Sequence, residues 1–238
     1  MFIYALLILV VWGGAIATDD NCEEGIGGGE KCRNLSEVGF FEFPQSEADI
    51  DRICPRALRF LECLKEFEDE CGAERIALHN YSRRKVEALI DLTNDICRKD
   101  SQLHINLVAN LDCMKNQAAN HRNNCVNVIR EKLENLRSYI RETEREQDMA
   151  SDMWLDYQCL YQALEIGCYA SSVSENCGKD AEDAAMEILM RAEYLDDFCP
   201  QTSRESAIEV MKMLELESEE EADVKKHYFN TLNVFVKF

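Results

Sequence analysis

The sequence predicts an all-α, disulfide-rich helical protein made of two related three-helix units joined by a long helix. Apolar residues recur at steps of three and four along most of the chain, which is the period of a helix with one buried face. The 238 residues include 12 cysteines but only 3 prolines and 10 glycines. A hydrophobic share of 46% is typical of a packed globular protein.

Residues 1–17 have the pattern of a signal peptide. The apolar run Met1–Trp12 precedes Ala15-Ile16-Ala17, the small-residue pattern of a cleavage site. This run is about 12 residues long, against the roughly 20 that a membrane-spanning helix needs, so an uncleaved anchor is the weaker alternative. We expect no membrane span later in the chain. The mature protein is therefore expected to be secreted and extracellular.

The cysteines predict both the disulfides and an internal repeat. An even number of cysteines in a secreted chain favours disulfide bonds, and the lack of CxxC pairs speaks against a zinc site. Their spacing is repeated after about 105 residues, which indicates the duplication of one unit. The first copy holds Cys54, Cys63, Cys71 and Cys97, the second holds Cys159, Cys168, Cys177 and Cys199, and the other disulfide candidates are Cys22, Cys32, Cys113 and Cys125.

These patterns divide the chain into six segments. The signal peptide is followed by an acidic, glycine-rich N-terminal segment. The first helical cysteine unit, a connecting helix and the second helical cysteine unit come next, and an acidic linker with an aromatic tail follows them. In that order, the ranges are 1–17, 18–45, 46–125, 126–150, 151–214 and 215–238.

Three helices are expected in the first unit. The first begins at Pro55, where the missing N–H of proline costs nothing, and ends at Cys71-Gly72. The second ends at Cys97, and Ser101 opens the third. The expected buried positions are Leu61, Leu64 and Phe67, then Val86, Leu89 or Ile90, Thr93 and Cys97, then Leu103, Leu107, Leu111 and Met114.

The second unit is expected to repeat this plan. Its third cysteine is again followed by a glycine, Gly178, and its fourth is followed four residues later by Ser203. The connecting helix has a coiled-coil spacing, which we assign to internal packing rather than to a dimer. The expected buried positions are Val126, Ile129, Leu133, Leu136 and Ile140 in the connecting helix, and Trp154, Tyr157, Leu160, Leu164, Ala185, Ile188, Ala192, Leu195, Ala207, Met211 and Leu214 in the second unit.

Helix geometry predicts two of the disulfide pairs. In an antiparallel hairpin the start of one helix lies level with the end of the other, which pairs Cys54 with Cys97 and, by the repeat, Cys159 with Cys199. Cys63 lies about 180° around the helix from Cys54, so we expect it to face the third helix and its Cys113. The remaining pairings stay open.

Charge and sequons fit an extracellular fluid. The chain has 46 Asp and Glu against 26 Lys and Arg, a formal net charge of -20. Such an excess disfavours nucleic acid and anionic membrane surfaces as partners. Asn34-Leu35-Ser36 and Asn80-Tyr81-Ser82 are N-glycosylation sequons, so Asn34 and Asn80 are the expected glycan sites.

The ordered cysteines and their neighbours resemble those of the arthropod 27 kDa haemolymph glycoprotein family. The matching residues are Ile53-Cys54-Pro55, FLECLK over 60–65, Cys71, Ile96 to Asp100, Cys113 and Cys125, and then Gln158-Cys159, Cys168, Cys177 and Phe198-Cys199. The resemblance covers most of the mature chain, and the segment after Cys199 departs from it. It implies a secreted helical glycoprotein of body fluid, in a family without a settled biochemical activity.

The sequence shows no constellation of catalytic residues. There is no GxSxG elbow, and disulfide-bonded cysteines cannot act as nucleophiles. His104 and His121 would lie about 25 Å apart along a continuous helix, too far to share a metal ion. The acidic residues over 217–223 support only weak cation association. We expect no catalytic residue, no metal, no cofactor and no enzymatic activity.

The leading interpretation is therefore a non-enzymatic binding or carrier protein of haemolymph, another body fluid or a gland secretion. Its expected partner is a hydrophobic small molecule or an extracellular protein, and the oligomeric state stays open. The alternative is a structural or defence-related secreted protein acting through protein partners, and a secreted hydrolase is the least favoured reading. The candidate lining for an apolar ligand is Phe60, Phe67, Trp154, Tyr157 and Tyr161, although such aromatic residues most often belong to the core.

Overall fold

The computed structural model describes residue 32 and residues 44–72, 82–144, 150–197, 199 and 203–204. Every regular element within these ranges is a helix, and no strand occurs in them. The all-α, disulfide-rich fold is thus confirmed. The helices are α1 (Glu47–Cys71), α2 (Arg83–Cys97), α3 (Gln102–His121), α4 (Asn127–Lys132), α5 (Glu134–Glu144), α6 (Ala150–Cys177) and α7 (Lys179–Arg191), with a π-helical segment at Arg122–Val126 and a 3₁₀ turn at Tyr194–Asp197.

Helix α1 begins at Glu47, and the predicted start at Pro55 was wrong. The Ser46 side chain accepts a hydrogen bond from the Asp49 N–H at 3.3 Å, while the Asp49 carboxylate accepts one from the Gln45 N–H at 3.0 Å. This reciprocal cap places negative charge at the positive end of the helix dipole and stabilises the first turn of α1. Pro55 therefore lies inside α1, where it removes one backbone hydrogen bond.

Two glycines end α1 and α6 in the same way. Gly72 and Gly178 both have a φ of 89°, in a region that residues with a side chain rarely adopt. Each glycine N–H donates to the carbonyl four residues earlier, at 2.8 Å for Gly72 and 3.1 Å for Gly178. Equivalent positions of the two sequence copies thus share one backbone conformation, and the predicted helix end at Cys71-Gly72 is confirmed.

Ser101 caps α3, as its position predicted. Its buried hydroxyl accepts from the His104 N–H at 3.0 Å and donates to the carbonyl of Asp95 near the end of α2. A single side chain therefore links the end of one helix to the start of the next. The equivalent Ser203 is also buried and lies in helical backbone.

The predicted connecting helix, 126–150, is interrupted. A π-helical segment precedes α4, and Leu133 separates α4 from α5. The Leu133 N–H donates to the Ile129 carbonyl at 2.9 Å, so backbone hydrogen bonding continues across this break. The apolar spacing predicted burial correctly: Val126, Ile129, Leu133 and Ile140 are buried, and Leu136 is half-buried.

The described residues fall into two compact units. The first contains those up to Lys115 together with Lys179–Tyr194, and the second contains Asn116–Gly178 and those from Leu195 onwards. In the first unit α2 packs against α1 and α7, and in the second α6 packs against the π-helical segment, α4 and α5. The predicted division into 46–125 and 151–214 is therefore not confirmed, because α7 belongs with the first unit.

The buried face of α7 gives a physical reason for this grouping. It is rich in alanine, and small side chains let two helices approach closely. Most of the other predicted core positions are also buried, whereas Ile90, Thr93, Cys97 and Trp154 are only half-buried and Ala207, Met211 and Leu214 lie outside the described residues. The buried residues of α7 include Ala181, Ala184, Ala185, Met186, Ile188 and Leu189.

Four disulfide bonds are defined within the described part of the chain. Cys54 pairs with Cys97 and Cys159 pairs with Cys199, as helix geometry and the repeat predicted. The other two are Cys32–Cys63 and Cys125–Cys168. In both copies the first cysteine pairs with the fourth, and the second pairs with a cysteine further upstream.

The expected partner of Cys63 was wrong. Cys63 does face away from Cys54, but the cysteine that it meets is Cys32, with a Cα–Cα distance of 5.7 Å, and not Cys113. Cys71, Cys113 and Cys177 are also disulfide-bonded. The remaining candidate, Cys22, and both sequon asparagines, Asn34 and Asn80, lie outside the described residues.

Candidate functional site

Three aromatic side chains stack along one face of α6 in the second unit. Trp154, Tyr157 and Tyr161 follow one another at steps of three and four, the spacing of neighbours on a helix surface. The Trp154 and Tyr157 ring centroids are 5.1 Å apart and nearly parallel, and the Tyr157 and Tyr161 centroids are 6.3 Å apart. We call these three residues the aromatic ladder. Its middle ring is buried and its outer rings are half-buried, so the ladder is partly open to solvent.

Basic side chains lie on the helices that pack against α6. Arg130 of α4 and Arg137 and Arg141 of α5 follow at steps of seven and four, which places them along one face; we call them the arginine stripe. Arg137 lies 4.0 Å from the carboxylate of Glu134. Arg130 and Arg141 are exposed, and the structure gives neither an ion pair among the described residues.

The positive charge of the arginine stripe acts on the aromatic ladder. Burial raises the pKa of the Tyr157 hydroxyl, and the charge of Glu134 adds to that rise. The charges of Arg137, Arg130 and Arg141 oppose it. Burial also raises the pKa of Tyr161, the negative charge of Glu165 adds to that rise, and Arg130 again acts in the opposite direction. The charge of Arg130 therefore affects the pKa of two adjacent tyrosines of the ladder.

A buried glutamate of α6 faces a buried histidine at the end of α3. Glu165 comes four residues after Tyr161, and its Oε1 is 3.0 Å from Nε2 of His121 at the end of α3. His121 is 2% exposed and Glu165 is 3% exposed. The Tyr169 ring meets the His121 imidazole edge-on at 5.6 Å, and burial raises the pKa of the Tyr169 hydroxyl.

The His121–Glu165 pair resembles part of a catalytic triad only in its residue types. A histidine held by a carboxylate can activate a nucleophile, which requires that the imidazole also faces a substrate. Here both side chains are shielded from solvent. Their arrangement fastens the end of α3 to α6, next to the π-helical segment and its Cys125–Cys168 disulfide.

A second polar cluster joins the start of α1 to the turn between α2 and α3 in the first unit. The Lys99 ammonium is 2.8 Å from Asp51 and 3.0 Å from Glu47. Nδ1 of the buried His104 lies 2.6 Å from the Ile96 carbonyl, so Nδ1 carries the hydrogen, and Nε2 lies 3.6 Å from Glu47. The hydrogen bond from Lys99 lowers the pKa of Glu47.

The structure brings together three of the five predicted lining residues. Trp154, Tyr157 and Tyr161 form the ladder, whereas Phe60 and Phe67 are buried in the core of the first unit. Sequence analysis did not identify the arginine stripe, although its helical spacing was visible in the printed sequence. It also missed the His121–Glu165 pair, whose members are 44 residues apart.

No group of three His, Cys, Asp or Glu residues suited to a metal ion occurs in the described ranges. The acidic residues over 217–223, predicted to associate weakly with cations, lie outside them. Among the described helices, none is long and apolar enough to cross a membrane.

The fold and the site define a class: an all-α, disulfide-rich protein with a partly open aromatic ladder beside a basic stripe. Comparison with family models, curated proteins and solved structures gives no match to this chain. The similarity to the haemolymph glycoprotein family therefore stays a prediction from the cysteine order and the residues around it.

Proposed function

We propose that this protein is a secreted extracellular glycoprotein that acts without catalysis, as a binding or carrier protein of a body fluid or gland secretion. Its disulfide bonds support an extracellular setting, because such bonds persist in oxidising compartments. The signal-peptide pattern supports the same setting. The hydrophobic small molecule is the partner that we favour.

The aromatic ladder is the observation that carries this proposal. Three stacked rings give a continuous apolar surface, and aromatic faces bury a large area for each side chain. Two of the three rings are only half-buried, so part of their surface is open to a ligand. The disulfides Cys125–Cys168 and Cys159–Cys199 hold the same helix in place, so the ladder is organised before a ligand arrives.

One observation favours the alternative, a structural or defence-related protein that acts through protein partners. Four large apolar side chains are exposed among the described residues: Ile105, Val128, Leu155 and Met190. Single exposed apolar residues are common on protein surfaces, whereas a contiguous patch marks an interface. These four are spread over α3, α4, α6 and α7. They are therefore weaker evidence for a protein interface than the three contacting rings are for a small-molecule site.

The mass of the natively secreted, deglycosylated protein tests the proposal. We expect the mass under native conditions to exceed the mass under denaturing conditions by that of a small molecule, which can then be identified. Protein purified from denaturant and refolded serves as the control, since it should carry no such mass. Equal native and denatured masses for the secreted protein would favour the alternative, a protein that acts through protein partners.

A further inference from the structure

We propose that the aromatic ladder and the arginine stripe form one site for an anionic amphiphile, a small molecule with an apolar body and an acid group. The apolar body lies on the rings of Trp154, Tyr157 and Tyr161, and the acid group lies at Arg130, the arginine of the stripe that acts on both tyrosines. This inference rests on the proposed function and names the chemical class of its ligand.

The charge of the stripe is opposite to that of the protein. A formal net charge of -20 repels anions in general, yet the stripe presents three guanidinium groups, of which only Arg137 has a carboxylate, Glu134, as a partner among the described residues. Arginine binds carboxylate, sulfate and phosphate oxygens through paired N–H donors. Because Arg130 and Arg141 are exposed and form no described ion pair, their donors are available to a ligand.

The two halves of the site are within reach of one small molecule. Helices α4 and α5 pack directly against α6, which carries the ladder. From Trp154 to Tyr161 the ladder extends about 10 Å along the helix axis. The charge of Arg130 opposes the raised pKa of both Tyr157 and Tyr161, so two successive rings lie within its electrostatic range.

Two fluorescent probes with nearly the same aromatic body separate the apolar and anionic contributions. Anilinonaphthalene sulfonate carries a negative charge, and phenylnaphthylamine is neutral. The sequence has two tryptophans, Trp12 and Trp154, and Trp12 belongs to the predicted signal peptide. In the cleaved protein, Trp154 emission therefore reports on the ladder itself.

The variants are Arg130→Gln and Arg141→Gln, each in the full secreted chain. Arg59→Gln is the matched control, because Arg59 is an exposed arginine of α1 whose guanidinium donates to the Pro55 carbonyl of the same helix. We expect the unaltered protein to bind the sulfonate more tightly than the neutral probe. Arg130→Gln should weaken sulfonate binding about fivefold, Arg141→Gln should weaken it less, and both should leave the neutral probe unchanged. The control should change neither affinity.

The other outcomes overturn the inference in distinguishable ways. If both probes bind equally and the stripe variants alter neither affinity, the ligand class is wrong while the carrier function stands. If neither probe changes Trp154 emission, the carrier function fails as well. A response to vesicles of anionic lipid without any response to the soluble probes would assign the basic stripe to a membrane surface instead.

Discussion

Both histidines in the described part of the chain, His104 and His121, are buried, and each has a defined polar neighbour. His104 faces a backbone carbonyl and the partly exposed Glu47, whereas His121 faces the buried Glu165. Removing one member of a buried pair leaves the other without compensation in a medium of low polarity. The stability of the second unit should therefore depend on both members of the His121–Glu165 pair.

Glu165→Ala should lower the free energy of unfolding by about 3 kcal/mol, since it removes the carboxylate that faces Nε2 of the buried His121. Glu175→Ala is the matched control: it removes an exposed carboxylate from the same helix and should cost little. Urea denaturation with intact disulfides measures both. Replacing both buried partners, as His121→Phe with Glu165→Leu, should recover part of the loss, and an equal loss in Glu165→Ala and the control would contradict this account.

At the level of helices, the sequence predicted more of the interior than of the boundaries. The steps of three and four at Leu61, Leu64 and Phe67 identified a buried face correctly, because burial follows directly from helical period. The sequence analysis placed the start of α1 at Pro55 because proline is a conspicuous helix-start signal. The actual start depends on the cap at Ser46, which is less conspicuous in the sequence. The spacing of apolar residues could not reveal the interruption of the connecting helix, because the helical repeat of apolar residues continues through the break.

The candidate site was predicted only in part for a similar reason. The spacing of Trp154, Tyr157 and Tyr161 lies within one helix and can be recognised from sequence. Contacts such as His121 with Glu165, or Cys63 with Cys32, join distant segments, and nothing in the local sequence selects the partner.

The ion pairs at the start of α1 should make it sensitive to acid. The pKa of Glu47 lies below its ordinary value of 4.5, chiefly because Lys99 donates a hydrogen bond to the carboxylate. A lowered pKa in the folded state contributes stability above the unfolded value, and this contribution disappears as the pH falls through the folded value. The loss therefore occurs below the ordinary glutamate pKa.

Glu47→Gln should lower the urea midpoint at neutral pH, and its difference from the unaltered protein should shrink below the ordinary glutamate pKa of 4.5 and vanish once Glu47 is protonated in the folded state. Glu62→Gln is the control, because Glu62 is an exposed glutamate on the same helix. Urea midpoints measured across the acid range test this expectation. A Glu47→Gln effect that stays constant across the whole acid range would show that the stabilisation does not come from the charged carboxylate.

For the molecule as a whole, the disulfides matter as a repeated pattern. The pairs Cys54–Cys97 and Cys159–Cys199 enclose chain separations of 43 and 40 residues. Each such bridge typically contributes about 2 to 4 kcal/mol, largely by restricting the unfolded chain. The same connectivity, the two glycines at φ 89° and the two buried serines all follow the sequence repeat, even though the compact units do not.

Cys54→Ser should leave one free thiol, at Cys97, and Cys159→Ser should leave one at Cys199. Peptide mapping after thiol labelling locates it, and the double variant Cys54→Ser with Cys97→Ser should show none. Each single variant should also lose about 2 to 4 kcal/mol of stability. Finding Cys97 bridged to a different cysteine in the single variant would mean that the pairing is set by more than helix geometry.

The order of the bridges along the chain has a consequence for survival after proteolysis. Cys54 precedes Cys63, so the loops closed by Cys32–Cys63 and Cys54–Cys97 overlap in sequence. The loops closed by Cys125–Cys168 and Cys159–Cys199 overlap in the same manner. A single backbone cut anywhere between residues 32 and 97, or between 125 and 199, is therefore spanned by at least one bridge. A nicked molecule stays in one covalent piece until its sulfurs are reduced.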